Sequence, residues 1–120
     1  MNSLLPDQLR RNEREAVNTF LGRLCLQYPE RIFQAILFGS KSRGDSKPGS
    51  DIDILLVVDA EDWRFSHAIS DVAADVSLEY NLLIDPRIIS QERWQRMAQE
   101  SFSLYQNISR EGVAITPELA

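Results

Sequence analysis

Apolar residues at helical spacing dominate the first quarter of the chain. Leu9, Ala16, Val17, Phe20, Leu21, Leu24 and Tyr28 recur on one face, Pro6 and Asp7 suit a helix N-terminus, and Pro29 stops the pattern, which predicts an amphipathic helix over residues 6–28. Its polar side, with Arg10, Arg11, Glu13, Arg14 and Glu15, reads as solvated, and Cys25 reads as a small packed residue. Ile32 to Phe38 reads as a strand, apolar on both faces at its end as a central strand is. A connection with Gly44, Pro48 and Gly49 then leads to a second apolar strand, Ile52 to Val58. Asp62 is placed to cap a helix reaching Tyr80, with Phe65, Ile69, Val72, Ala73, Val76 and Tyr80 on one face and Asn81 at its end. His67, Asp71 and Asp75 fall off that stripe and read as surface. Leu82-Leu83-Ile84 predicts a short third strand stopped by Asp85-Pro86, with Ile88-Ile89 extended beyond it. Ser90 and Glu92 open a helix to about Gln99 that buries Trp94 and Met97, and a last helix from about Ser101 to Arg110 buries Phe102, Tyr105 and Ile108 before Gly112. Residues 114–120 are expected to fray. The order predicts one α/β (α+β) domain over residues 1–120, a small mixed β-sheet with helices packed mainly on one face.

The chemistry concentrates where the first strand hands over to the second. Gly39 has no Cβ, so the chain can turn sharply there and a phosphate can approach the backbone. Ser40 opens a segment to Arg43 that reads as a helical turn with N–H groups free for an anion, and Lys41 and Arg43 add positive charge. Side chains alternate along a strand, so Asp51 and Asp53 point the same way, about 6 to 7 Å apart, at the mouth of an apolar strand. Two carboxylates so placed can share divalent metal ions, and the whole stretch reads as a plan for holding a triphosphate and its metal. A turn followed by a solvated strand start would leave two acids opening so apolar a run unexplained.

Composition narrows the setting. The chain has 120 residues, 43% hydrophobic and 26% charged, an ordinary soluble globular composition. A net charge of -5 argues against direct nucleic-acid binding, which needs a basic stripe. No apolar run approaches the roughly 18 residues of a membrane span, and the N-terminus lacks a signal-peptide design, so no membrane association and a cytoplasmic location are expected. The single Cys25 excludes an internal disulfide, and one Cys with one His argues against zinc.

Gly39-Ser40, Arg43-Gly44-Asp45 and Ser50-Asp51-Ile52-Asp53, at this spacing between two strand-like runs, resemble the signature of the DNA polymerase β-like nucleotidyltransferase superfamily, specifically its minimal (MNT) branch. The likeness is strong over residues 36–58, and the tail from Phe102 through Tyr105, Asn107 and Arg110 to Val113 extends it more weakly. The resemblance implies the nucleotidyltransferase fold and a magnesium-dependent transfer of a nucleoside monophosphate, AMP from ATP, onto an acceptor hydroxyl. In it Asp51 and Asp53 are catalytic and hold two Mg2+ ions, while Gly39, Ser40, Lys41 and Arg43 bind the nucleotide. Family members carry a third carboxylate on a later strand. Asp85 is the first choice for it as catalytic and metal-binding residue, with Glu79, or no third ligand, left open. The branch pairs with HEPN-domain toxins in toxin–antitoxin modules, which implies a HEPN protein as partner and acceptor. A catalytically weak module that neutralises its partner by contact is the alternative. An antibiotic-modifying enzyme is a further one, disfavoured by the absence of a C-terminal substrate domain. Nucleotide preference and homo-oligomerisation are left open.

Overall fold

The computed structural model describes residues 9–39, 51–100 and 102–115. Its elements are α1 (Arg11–Gln27), β1 (Ile32–Phe38), β2 (Ile52–Val58), α2 (Trp63–Tyr80), β3 (Ile84–Ser90), α3 (Gln91–Gln99), α4 (Ser103–Glu111) and β4 (Val113–Ala114). They build one mixed sheet in the order β3-β2-β1-β4, with β2 antiparallel to β1 and parallel to β3. Six of the seven β2 residues are buried, which is why the strand is apolar almost throughout. Ile52, Ile54, Leu56 and Val58 join Phe20, Leu24, Ile69 and Val76 in a core beneath the long helices α1 and α2. Leu55 and Val57 point the other way, to Ile36, Ile89, Met97 and Ile108, where the short helices α3 and α4 cover part of the opposite face. The fold class is the α+β arrangement expected, with the long helices on one face.

Local chemistry explains most element ends. Asp62 accepts a hydrogen bond from the Phe65 N–H at 2.8 Å and so caps α2, and Asn81 ends it in the left-handed region at φ 55°. After α1, Pro29 is followed by Glu30 at φ 69°, and the Arg31 N–H donates to the Tyr28 carbonyl, closing a tight turn into β1. At the end of the sheet remote from Gly39, the Arg31 guanidinium holds Asp59 and Asp62 and lies 3.8 Å over the Phe65 ring. Arg31 keeps the Asp59 carboxyl below its ordinary range. No helix among the described residues is long and apolar enough to cross a membrane.

Several sequence expectations are corrected. Helix α1 starts at Arg11 rather than residue 6; Pro6 and Asp7 lie outside the described residues. Glu13 is buried, not solvated, because its carboxylate accepts the Arg10 N–H at 2.8 Å and closes the helix start. Cys25 is exposed. The third strand is not Leu82–Ile84 but Ile84–Ser90, and it runs through Pro86. As an edge strand, β3 turns half of its N–H groups away from β2, so a residue without one is tolerated. Phe102 is exposed at the N-cap of α4, and Trp94 and Tyr105 are half-buried, their rings 4.7 Å apart. Ala114 pairs with Ile36, and Ile115 is buried and donates its N–H to the Ala35 carbonyl, so these two do not fray. Gly112 permits that return: a Cβ there would overlap the Ile108 carbonyl oxygen and stand 2.6 Å from the Ile36 side chain.

Ser77 fixes where β3 begins. Its buried hydroxyl donates to the Ala73 carbonyl at 2.6 Å and accepts the Ile84 N–H at 3.0 Å, pinning the first residue of β3 to α2. Ser77→Ala leaves that N–H buried and unpaired, which should cost about 1–3 kcal/mol in urea unfolding. An unchanged stability would show that the bond is not holding the strand.

Candidate active site

The register of β2 places the acids. Because Leu55 and Val57 face α3 and α4, Asp53, two residues earlier, lies on that same face and is half-buried. Asp51 stands exposed one residue before the strand. In the parallel pairing Asp53 is aligned with Asp85, as Ile52 is with Ile84 and Leu55 with Arg87. Ile84 belongs to the core under α1 and α2, so Asp85 points to the other side, beside Asp53. Glu79 is placed elsewhere: on α2 it pairs with Arg23 at 2.8 Å. His67 faces Asp71 at 3.4 Å on the exposed side of α2, and Asp75 is exposed as well.

Gly39 follows β1 directly and has φ +74°, a conformation that side chains rarely adopt. A Cβ there would stand 2.6 Å from Asp53 Oδ2. The absent side chain therefore lets the carboxylate lie against the backbone of the turn, so turn and acids form one surface. Ser40, Lys41 and Arg43, expected at the phosphates, lie outside the described residues.

One residue on this face escaped the sequence reading. Arg87 is the next outward position of β3, and its Nη2 is 3.6 Å from Asp85 Oδ2. The signal was the two-residue alternation Asp85, Arg87, Ile89, hidden because Pro86 was read as the end of the strand.

Electrostatics show what the cluster lacks. Burial raises the Asp53 carboxyl above its ordinary 3.8, the negative charges of Asp85 and Asp51 raise it further, and Arg87 pulls it partly back. Among the described residues no group of three or more His, Cys, Asp or Glu side chains is drawn together closely enough to hold a metal as it stands. The donors nevertheless suit a hard cation: carboxylates only, on one side, one of them already short of positive charge. An apolar groove of about 190 Å³ between α1 and β1, lined by Leu21, Leu24, Ile32 and Ile115 among others, contains none of these acids.

The raised pKa is also a statement about folding. Between 3.8 and that raised value the folded state holds the Asp53 proton more tightly than the unfolded chain, so stability falls as pH rises through this window. Asp53→Asn removes the penalty. Without divalent cations the variant should melt above the parent at neutral pH, and the gap should close as the pH falls towards 3.8. A lower melting point at neutral pH would contradict the repulsion.

The family model described as "Nucleotidyltransferase domain" matches residues 17–107, a span that includes Gly39, Asp51, Asp53 and Asp85. A Methanocaldococcus jannaschii protein named as a candidate protein adenylyltransferase, MJ0604, is 37% identical over 101 residues, covering 84% of this chain and 95% of the relative. Among solved structures, a toxin–antitoxin with AMP-PNP aligns at TM-score 0.55 and 19% identity over 81% of this chain and 70% of its own. The structure of a candidate minimal nucleotidyltransferase aligns at TM-score 0.54 and 19% identity over 90% and 98%. These two share the fold. Since the family model spans most of the chain and the relative nearly all of its own length, the chain belongs to the nucleotidyltransferase domain family and is a nucleotidyltransferase.

Proposed function

We propose that this nucleotidyltransferase moves AMP from ATP onto a hydroxyl of a partner protein, in a magnesium-dependent reaction, and that the partner is a HEPN-domain toxin which the modification silences. The observation that carries the reading is the alignment of Asp53 with Asp85, with Asp51 at the strand mouth and the left-handed turn at Gly39 packed against Asp53. The relative named for protein adenylylation and the fold shared with a toxin–antitoxin solved with AMP-PNP support the acceptor and the nucleotide.

In this reading the acceptor oxygen attacks the α-phosphorus, the bond to the β-phosphate oxygen breaks, and pyrophosphate leaves. Asp51, Asp53 and Asp85 would hold magnesium, which supplies charge neutralisation of the attacking and leaving oxygens. Asp85, on the edge strand and aligned with Asp53, would receive the hydroxyl proton. Arg87 holds Asp85 in position from the outer side. Gly39, Ser40, Lys41 and Arg43 bind the phosphates. The reaction takes place in the cytoplasm, where ATP and magnesium are present.

Intact-mass spectrometry of the partner after incubation with this protein, ATP and magnesium tests the whole reading. The partner should gain mass in steps of one AMP, and Asp51→Asn/Asp53→Asn should abolish the gain. Asp85→Asn should slow it by at least about 100-fold if Asp85 takes the proton. A stable complex that neutralises the toxin without any mass change, equally with the double variant, would replace transfer by neutralisation through contact.

A further inference from the structure

Beside Gly39 the sheet and α4 enclose an open recess of about 230 Å³ lined by Phe38, Gly39, Leu104, Asn107, Ile108 and Glu111. It belongs to the acidic face. Phe38 is the direct cross-strand partner of Asp53, so the ring and the carboxylate stand side by side, and Gly39 touches both regions. On α4, positions 104, 107, 108 and 111 follow helical spacing and form one stripe over the recess. The stripe is graded. Leu104 is 54% exposed, although it belongs to an apolar lining, while Ile108, one turn on, is buried. Asn107 and Glu111 place an amide and a carboxylate on the same side; Asn107 Oδ1 also accepts from Arg110 Nη2 at 3.0 Å, and Glu111 Oε1 lies 3.9 Å from that guanidinium.

We infer that this recess receives the nucleobase of the nucleoside triphosphate, with Leu104 and Phe38 as its apolar walls and Asn107 and Glu111 as its polar edge. The inference rests on the proposed nucleotidyl transfer. Its volume falls below the about 300 Å³ where drug-sized pockets begin, which suits one flat ring and not a whole nucleotide. The apolar surfaces offer contact to the ring faces. An amide beside a carboxylate matches a base edge with an acceptor nitrogen next to an exocyclic amine, as adenine presents at N7 and N6. The phosphates then lie towards Gly39 and the acids, the direction that the transfer requires.

Calorimetry with magnesium, using a non-hydrolysable ATP analogue and inorganic tripolyphosphate as separate probes, tests the assignment. The parent protein should bind the analogue more tightly than tripolyphosphate. Leu104→Ala/Asn107→Ala, at exposed positions and so expected to melt with the parent, should weaken the analogue about 10-fold or more and leave tripolyphosphate unchanged. Asp51→Asn/Asp53→Asn should weaken both probes. Analogue affinity unaltered in the α4 variant, or equal affinity of the parent for both probes, would overturn the base site while leaving the transferase reading intact. A parent protein that binds neither probe would overturn both. Loss of partner binding by the α4 variant with analogue affinity intact would give the stripe to the partner instead.

Discussion

The register of β2 is the constraint on which the rest depends. A shift by one residue would exchange its two faces, carrying Asp53 into the dry core beneath α1 and α2 and turning Ile52, Ile54, Leu56 and Val58 towards the other face. Each of those buried side chains contributes about 1.5–3 kcal/mol, and a charged carboxylate in their place would cost several more. The core beneath the long helices therefore holds the acids on the opposite face. Ser77 extends the same control to β3 by fixing the residue at which that strand starts, so Asp85 inherits its place from the packing of α2.

Much of this was legible in the sequence because the relevant signals are local. β1, β2 and α2 carry clear apolar patterns, and their ends are marked by Gly39, Asp62 and Asn81, whose chemistry acts within a few residues. What was not legible depends on neighbours. Pro86 reads as a strand end until the sheet order shows that β3 is an edge. Leu82 and Leu83 look like strand interior, yet the chain is still leaving α2, and the Leu83 carbonyl is taken by the Ile52 N–H. Phe102 looks like core, yet it stands exposed at the N-cap of α4. The pairing of Val113 and Ala114 with Leu37 and Ile36 has no sequence signature in a strand of two residues.

The candidate site divides in the same way. Gly39, Asp51 and Asp53 announce themselves by spacing. The alignment of Asp85 with Asp53, and the place of Arg87 beside it, follow only from a parallel pairing between strands separated by a whole helix. That kind of contact is set by how α2 packs, and residue type alone does not encode it.

The balance of charge bears on how such a site works. A chain of net charge -5 that gathers Asp51, Asp53 and Asp85 on one face repels a free triphosphate at long range. Arg87 offsets only part of that field, since it already faces Asp85. Under the proposed transfer, a polyphosphate would reach this face together with cations that neutralise both partners, and the same cations would offset the Asp85 and Asp51 charges that add to burial in raising Asp53. The burial and the neighbouring carboxylates that disfavour a lone charge on Asp53 would, in that reaction, favour a ligand that brings cations with it.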